Sequence, residues 1–323
     1  MDLGKQNILF FTRTMMLGGT ENVVLQLCEV FKPKVNKIVV CSCGGVNVEK
    51  LTEMGIRHYQ IPDISSKKDM FKICRTVKKI VEKEQITVIH SHHRMAAFYT
   101  EILFGSSIIK IANAHNTFFD KKLLTRFAYR NTKVIAVGKM VKKNLVDYFR
   151  IPEKQVSVIH NAVKPFDGDY IEDKYIRKLH DDGNFVVGNI GRLSEQKGME
   201  YFIEAIPKIL KKYPRTRFVI AGNGEDEQKL FSLVKKLGIE ECIKFLGYRK
   251  DVQNLMSQLD LIVLSSLWEG LPLTPIEAYS VGRAIVATRV DGTPEIVRDG
   301  VDGYLIDPKS LEQIAEAVCK VIE

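Results

Sequence analysis

Short apolar runs rich in β-branched residues alternate along the chain with segments whose apolar positions recur every three or four residues. In the first half the runs are NILFFT, KIVVCSC, ITVIHSHH, KIANAH, KVIAVG and VSVIH, and in the second NFVVGNIG, RFVIAG, IKFLG, LDLIVLSS, AIVATRV and GYLID. Strands separated by helices predict two βα arrays, an α/β protein of two doubly wound domains. The stretch 161–183, NAVKPFDGDYIEDKYIRKLHDDG, is polar and poor in such runs, so the boundary falls there: a first domain over 1–162 and a second over 163–323. Two such domains facing each other make a cleft lined by the carboxyl ends of both sheets, where ligand groups are expected.

Three loops that follow strands carry candidate chemistry. In FFTRTMMLGGTENVVLQL, Gly18 and Gly19 precede a helix expected to start near Glu21 with Thr20 as its cap. Paired glycines there let backbone amides approach an anion, although a tight strand-to-helix turn is the better explanation of the pair taken alone. The spacing is not that of the dinucleotide fingerprint. In GNIGRLSEQKGMEYFIEAI, Arg192 and Lys197 sit between a strand and a helix and suit a diphosphate leaving group, the plainer alternative being a surface Arg192 paired with Glu195. In LSSLWEGLPLTPIEAYSVG, Glu269 follows a strand, while Thr274, Pro275 and Glu277 read as a capping box with Pro at the first helical position. Glu277 thus has a structural explanation as well as a functional one, and Glu269 is either a solvated loop charge or a ligand group.

Length and composition narrow the setting. A chain of 323 residues with 45% hydrophobic and 27% charged content is that of a soluble globular protein of two domains. It has no apolar run near the roughly 18 residues needed to span a bilayer and no signal-peptide pattern, so a cytoplasmic location is expected. Cys28, Cys41, Cys43, Cys74, Cys242 and Cys319 lie in apolar segments and are expected as buried thiols rather than metal ligands. His90, His92, His93 and His115 end two strand runs without carboxylates at ligand spacing, so no metal site is expected. By alternation His90 is expected to point into the core and His92 and His115 into the cleft.

Charge is uneven. Residues 1–160 hold 26 Lys and Arg against 13 Asp and Glu, a balance of +13, whereas residues 161–323 hold 22 against 26, a balance of −4. A basic first half suggests an anionic partner. No nucleic-acid-binding motif accompanies it, so nucleic acid is not expected. SSKKDMFKICRTVKKIVEK (65–83) reads as a core stripe of Met70, Ile73, Cys74, Val77 and Val81 with a solvated lysine face. NTFFDKKLLTRFAYRNTK (116–133) mixes Phe118, Phe119, Leu123, Leu124 and Phe127 with Lys121, Lys122, Arg126 and Arg130, a pattern that suits the headgroup boundary of an anionic membrane.

Taken in order, LGGTE, GRLSEQKG, AGNGEDEQKL, FLGYRKDV, EGLPLTPIE and GTPEIVRDGVDGYLID resemble the retaining GT-B glycosyltransferases of family 4, in particular bacterial enzymes of surface-polysaccharide assembly. The resemblance runs from about Ile8 to the C-terminus. It implies that the first domain takes the acceptor and the second a nucleoside diphosphate sugar, expected to be UDP-linked. Carried over residue by residue, it makes His115 and Glu269 the catalytic pair beside the transferred sugar. Gly18, Gly19, Arg192, Lys197, Leu273, Thr274 and Glu277 become donor-binding residues, with Glu277 on the ribose. Asn223, Gly224, Tyr248, Arg249 and Val252 belong to loops bordering the nucleobase. The expected enzyme needs no metal or other cofactor, because Arg192 and Lys197 take the charge of the leaving diphosphate. A same-face displacement is favoured, since no side chain stands out as a covalent nucleophile. A lipid-linked saccharide acceptor met at the membrane is expected. Family members usually continue with further helices that cross back onto the first domain, so either a segment after Glu323 is removed or the form is a naturally short one, and domain closure is the property this bears on. The alternative readings are a nucleotide-sugar epimerase and a non-catalytic partner protein that only binds a sugar nucleotide or glycan.

Overall fold

The computed structural model describes residues 2–323. The chain divides into two compact units, 1–161 and 162–323. The first is built on a seven-stranded parallel sheet of β1 (Asn7–Phe11), β2 (Lys37–Ser42), β3 (Arg57–Gln60), β4 (Val88–Ser91), β5 (Ile109–Ala114), β6 (Lys133–Ala136) and β7 (Val156–Val158). Their order is β3-β2-β1-β4-β5-β6-β7. The second holds a six-stranded parallel sheet of β8 (Phe185–Ile190), β9 (Thr216–Ala221), β10 (Ile243–Gly247), β11 (Leu261–Leu264), β12 (Ile285–Thr288) and β13 (Gly303–Ile306), ordered β10-β9-β8-β11-β12-β13. In both sheets the winding reverses beside the unit's first strand, between β1 and β4 and between β8 and β11. Open α/β sheets bind ligands at the carboxyl ends of such strands.

The central strands are buried from end to end because helices cover both faces, as in Leu9, Phe10 and Phe11 of β1 and Leu261 to Leu264 of β11. β3, with the sequence RHYQ, escapes the apolar-run criterion. It is an edge strand with its two end residues exposed, and it needs no apolar run to hold its place. The polar stretch after residue 161 also contains a helix, Lys174–Asp181. Asp173 caps it by accepting from the amides of Tyr175 and Ile176, and only Ile176 and Leu179 are buried, so the charged remainder hides the helical period. One cap expectation shifts as well. The helix after Gly18-Gly19 runs Gly19–Phe31, capped by an extended Gly18 (φ 176°) with no side-chain bond, so Thr20 lies inside its first turn.

Candidate active site

The candidate site of the second unit lies at the carboxyl ends of β8 and β11. After β8 the chain passes Arg192, whose side chain is exposed, and makes a single 3-10 turn, Glu195–Lys197. Gly198 closes that turn in the left-handed region (φ 53°), with the position a Cβ would occupy 2.4 Å from the carbonyl oxygen of Ser265. Only glycine fits both constraints. The turn is stitched to the loop after β11: Leu267 N–H donates to Gln196 O (2.7 Å), Gln196 Nε2 to Trp268 O (3.0 Å), and Ser265 Oγ to Lys197 O (3.0 Å).

That stitching delivers Lys197 to Glu269. Lys197 Nζ donates to Glu269 Oε1 at 2.5 Å, and Ser266 Oγ donates to the same oxygen at 2.7 Å. Glu269 is only 7% exposed. It is therefore a buried, hydrogen-bonded carboxylate with a counter-charge, not a solvated loop charge. The far side is held too: Glu269 N–H donates to Asp291 Oδ2 (2.8 Å) and Gly292 N–H to Gly270 O (3.0 Å). Asp291 takes a left-handed backbone (φ 41°) in doing so. Neither Asp291 nor Ser266 stands out in the sequence; the Asp-Gly after β12 is the one local signal of a sharp turn there.

The capping box does not form. The helix runs Leu273–Ser280 with Pro272 at its cap and no side-chain cap bond, which puts Thr274 second, Pro275 third and Glu277 fifth. Proline is tolerated at the third position because that amide has no intrahelical acceptor anyway. For the same reason the amides of Leu273 and Thr274 have no partner within the helix, and they carry the positive end of its dipole. Glu277 is thus released from capping. Burial pushes its carboxyl above the usual carboxylate range, a rise that the Lys197 ammonium partly offsets. Lys197, Glu269 and Glu277 are therefore one electrostatic cluster.

A carboxyl whose folded pKa is raised costs nothing below its ordinary value of about 4.3 and costs stability as pH climbs through the folded value. Glu277→Gln is expected to match the parent near pH 4 and to melt at the same or higher temperature near pH 8, while weakening nucleotide binding. Thermal denaturation at both pH values with a nucleotide titration checks this; a lower melting temperature at pH 8 with unchanged affinity would return Glu277 to a structural role.

The loops expected at the nucleobase border the same edge. Asn223 and Gly224 are zipped to Leu193: Leu193 N–H donates to Asn223 O (2.9 Å), and a Cβ on Gly224 would stand 2.2 Å from Leu193 O. Tyr248 is exposed, and half-buried Val252 opens the helix Val252–Ser257. The Arg249 guanidinium is committed to Asp173 (2.6 Å) and Asp251 (2.7 Å), and the Asp251 hydrogen bonds first, then Asp173, raise its pKa. Its side chain locks the segment before the helix Lys174–Asp181 in place, so the backbone is what this position can offer a ligand.

In the first unit the strand ends carry histidines. His90 and His92 point to the same side of the sheet, ring centroids 4.4 Å apart, because they are two residues apart; the expected opposition of the two was a parity error. His92 is 2% exposed and lies beneath half-buried His115, with His92 Nδ1 and His115 Nε2 3.1 Å apart. Burial lowers the His115 pKa to about 3, so the ring is neutral at physiological pH. His93 turns the other way, its Nδ1 accepting from Met95 N–H to cap the helix Arg94–Leu103. Of the cysteines, Cys28, Cys41 and Cys319 are buried and Cys43, Cys74 and Cys242 half-buried, all as free thiols.

Comparison with known proteins gives a consistent result. Residues 17–165 match the profile described as Glycosyltransferase Family 4, and residues 171–323 that described as Glycosyl transferases group 1. A human protein, one of the components of phosphatidylinositol N-acetylglucosaminyltransferase, is 27% identical over 95% of this chain and 66% of its own. The Escherichia coli UDP-Gal:alpha-D-GlcNAc-diphosphoundecaprenol alpha-1,3-galactosyltransferase is 26% identical over 95% of this chain and 86% of its own. The Anabaena protein HepE, solved in complex with UDP-glucose, superposes with a TM-score of 0.84 at 22% identity, covering 98% of this chain and 90% of that one, which shows a shared fold. The chain belongs to the family 4 glycosyltransferases of the GT-B fold and is a transferase enzyme.

Proposed function

We propose that the protein transfers a sugar from a UDP-sugar to the hydroxyl of a lipid-linked saccharide, with retention of anomeric configuration and without a metal ion, in polysaccharide assembly. The observation that carries this reading is the Lys197–Glu269 pair at the β8/β11 switch point, beside the first turn of the helix Leu273–Ser280. Lys197 and Arg192 offset the charge that builds on the leaving diphosphate, with the Leu273 and Thr274 amides as further donors. Glu269, fixed by Lys197 and Ser266, orients the sugar and faces the positive charge that develops at its anomeric carbon. Glu277 accepts from the ribose hydroxyls. In the first unit, neutral His115 serves as a hydrogen-bond partner for a hydroxyl of the sugar in transit, and the Gly18-Gly19 turn gives an anion close access to backbone amides.

The donor and acceptor classes are supported by the relatives' names, which specify a UDP-galactose donor, a diphosphoundecaprenol-linked acceptor and a phosphatidylinositol substrate. Among the described residues no helix is long and apolar enough to cross a membrane. A peripheral mode is supported by the segment around the helix Lys122–Ala128, where Phe119 is 74% and Leu123 82% exposed beside exposed Lys121, Lys122 and Arg126. Leu124 and Phe127 are half-buried, and Phe118 is exposed with Arg94 over its ring at 4.9 Å, so the exposed apolar patch is Phe118, Phe119 and Leu123, smaller than the sequence implies. In 65–83, Ile73, Val77 and Val81 are core, while Met70 and Phe71 are exposed.

The test is a panel of radiolabelled nucleotide sugars offered with polyprenyl-diphosphate saccharides in anionic or zwitterionic vesicles. We expect transfer from one UDP-sugar, and binding to anionic vesicles that high salt and a Phe119→Ser/Leu123→Ser/Lys121→Glu/Lys122→Glu variant reduce. Transfer only to water-soluble acceptors, or equal binding to both vesicle types, would remove the membrane part of the proposal.

A further inference from the structure

The histidine ladder of the first unit contains a buried group that the proposed chemistry does not use. β4 and β5 are neighbouring parallel strands, pairing His90 with Ile111. His90 therefore lies diagonal to Asn113, and His92 to His115. His90 Nε2 meets Asn113 Oδ1 at 2.8 Å, His92 Nδ1 meets His115 Nε2 at 3.1 Å, and Phe10 closes the ladder at 5.4 Å from His90 and 5.7 Å from His92. The remaining nitrogen of His92, Nε2, is buried with no hydrogen-bond partner.

That orphan decides which way the proton points. If His115 donated Nε2–H to His92, the neutral His92 ring would have to carry its own hydrogen on Nε2, leaving a buried N–H with no acceptor. If His92 donates instead, the orphan is only a lone pair. Buried N–H groups without acceptors are the rarer and costlier defect. A doubly protonated His92 is excluded by burial, which holds its pKa well below the ordinary value, with His90 and His115 adding to the effect.

Resting on the reading that His115 serves the transferred sugar, we infer that His92 is a positioning residue that fixes the tautomer of His115, donating Nδ1–H to His115 Nε2 and leaving the His115 proton on Nδ1. The neutral side chain of a free histidine in water favours the opposite tautomer, with its proton on Nε2, so the ladder imposes the minor form. His115 then meets a sugar hydroxyl as a donor through Nδ1–H, a direction of hydrogen bonding that the sequence alone leaves open. A wrong tautomer in an intact site is known to disable a catalytic histidine.

The experiment is a long-range proton–nitrogen correlation spectrum of the full chain labelled at the histidine nitrogens, with His115→Gln used to assign the His115 signals. The expected result is His115 protonated on Nδ1 and His92 protonated on Nδ1. A His115 proton on Nε2 overturns the proposal, and this readout survives even if every His92 variant fails to fold. Kinetically, His92→Phe should move the His115 proton to Nε2 and lower kcat by roughly 10-fold or more with little change in donor KM. His92→Asn, whose amide N–H takes the place of Nδ1–H, should restore both. A changed tautomer with unchanged kcat would overturn the role in transfer. If no donor is turned over by the parent, the functional reading fails while the spectrum still decides the tautomer.

Discussion

Replacing Glu269 by alanine is expected to cut sugar transfer on the order of 100-fold or more while changing nucleoside diphosphate affinity by only a few-fold. The carboxylate is buried, its Oε1 accepts from Lys197 and Ser266, and its backbone is clamped by Asp291, so its position is determined before any substrate arrives. A charge held in that way needs no reorganisation when positive charge develops on a sugar, which is why its loss falls on kcat rather than on binding. Removing it also strands the Lys197 ammonium. Because Lys197 retains some solvent contact (18% exposed), the stability loss should stay at or below about 3 kcal/mol, the low end for a broken buried pair. Glu269→Gln separates the two effects: the amide oxygen still accepts from Lys197 and Ser266, so stability should largely return and transfer should not. Kinetics and thermal denaturation of both variants check this, and near-normal transfer by the glutamine variant would mean that the negative charge is not what the site uses.

Lys197→Ala should be the more damaging of the two cation substitutions. One charge-assisted hydrogen bond contributes about 1.5–3 kcal/mol, which converts to roughly 10- to 100-fold in affinity. Arg192→Ala should lose about that much UDP affinity with little change in stability, its side chain being exposed. Lys197→Ala loses the same contact and also leaves Glu269 buried without a counter-charge beside the incoming diphosphate, and Glu277 without the cation that offsets its burial. Its UDP affinity should therefore fall further, transfer should collapse, and uridine affinity should hardly move. Calorimetric titration with UDP and with uridine distinguishes these outcomes, and parallel losses for both ligands would show that Lys197 acts through folding rather than through phosphate.

How much of this was legible depended on whether the deciding contact was local. Strands such as β1 and β11 announce themselves because burial on both faces demands an unbroken apolar run. β3 lies at an edge and is under no such demand. The helix Lys174–Asp181 was masked because two buried side chains anchor eight residues that are mostly charged. The start of the helix Leu273–Ser280 was misplaced because proline is acceptable anywhere in a first turn, so Pro275 does not mark the first position. At the site, strand-end placement and the family resemblance pointed to Arg192, Lys197, Glu269 and Glu277. The ion pair itself spans 72 residues of sequence and depends on how the loops after β8 and β11 pack, which no local spacing encodes. Asp291 and Ser266 were missed for that reason. His92 was within reach, since strand alternation correctly applied puts it on the same face as His90 and next to the strand that carries His115.

We propose that the cations of the second unit, not a metal ion, discharge the leaving diphosphate. It is tested most directly by following nucleoside diphosphate release and sugar transfer by the exhaustively EDTA-treated protein, with and without added magnesium or manganese. Equal turnover is expected in all three conditions, with one diphosphate released per sugar transferred, and turnover lost in Lys197→Ala. Activity abolished by the chelator and restored by manganese would contradict it.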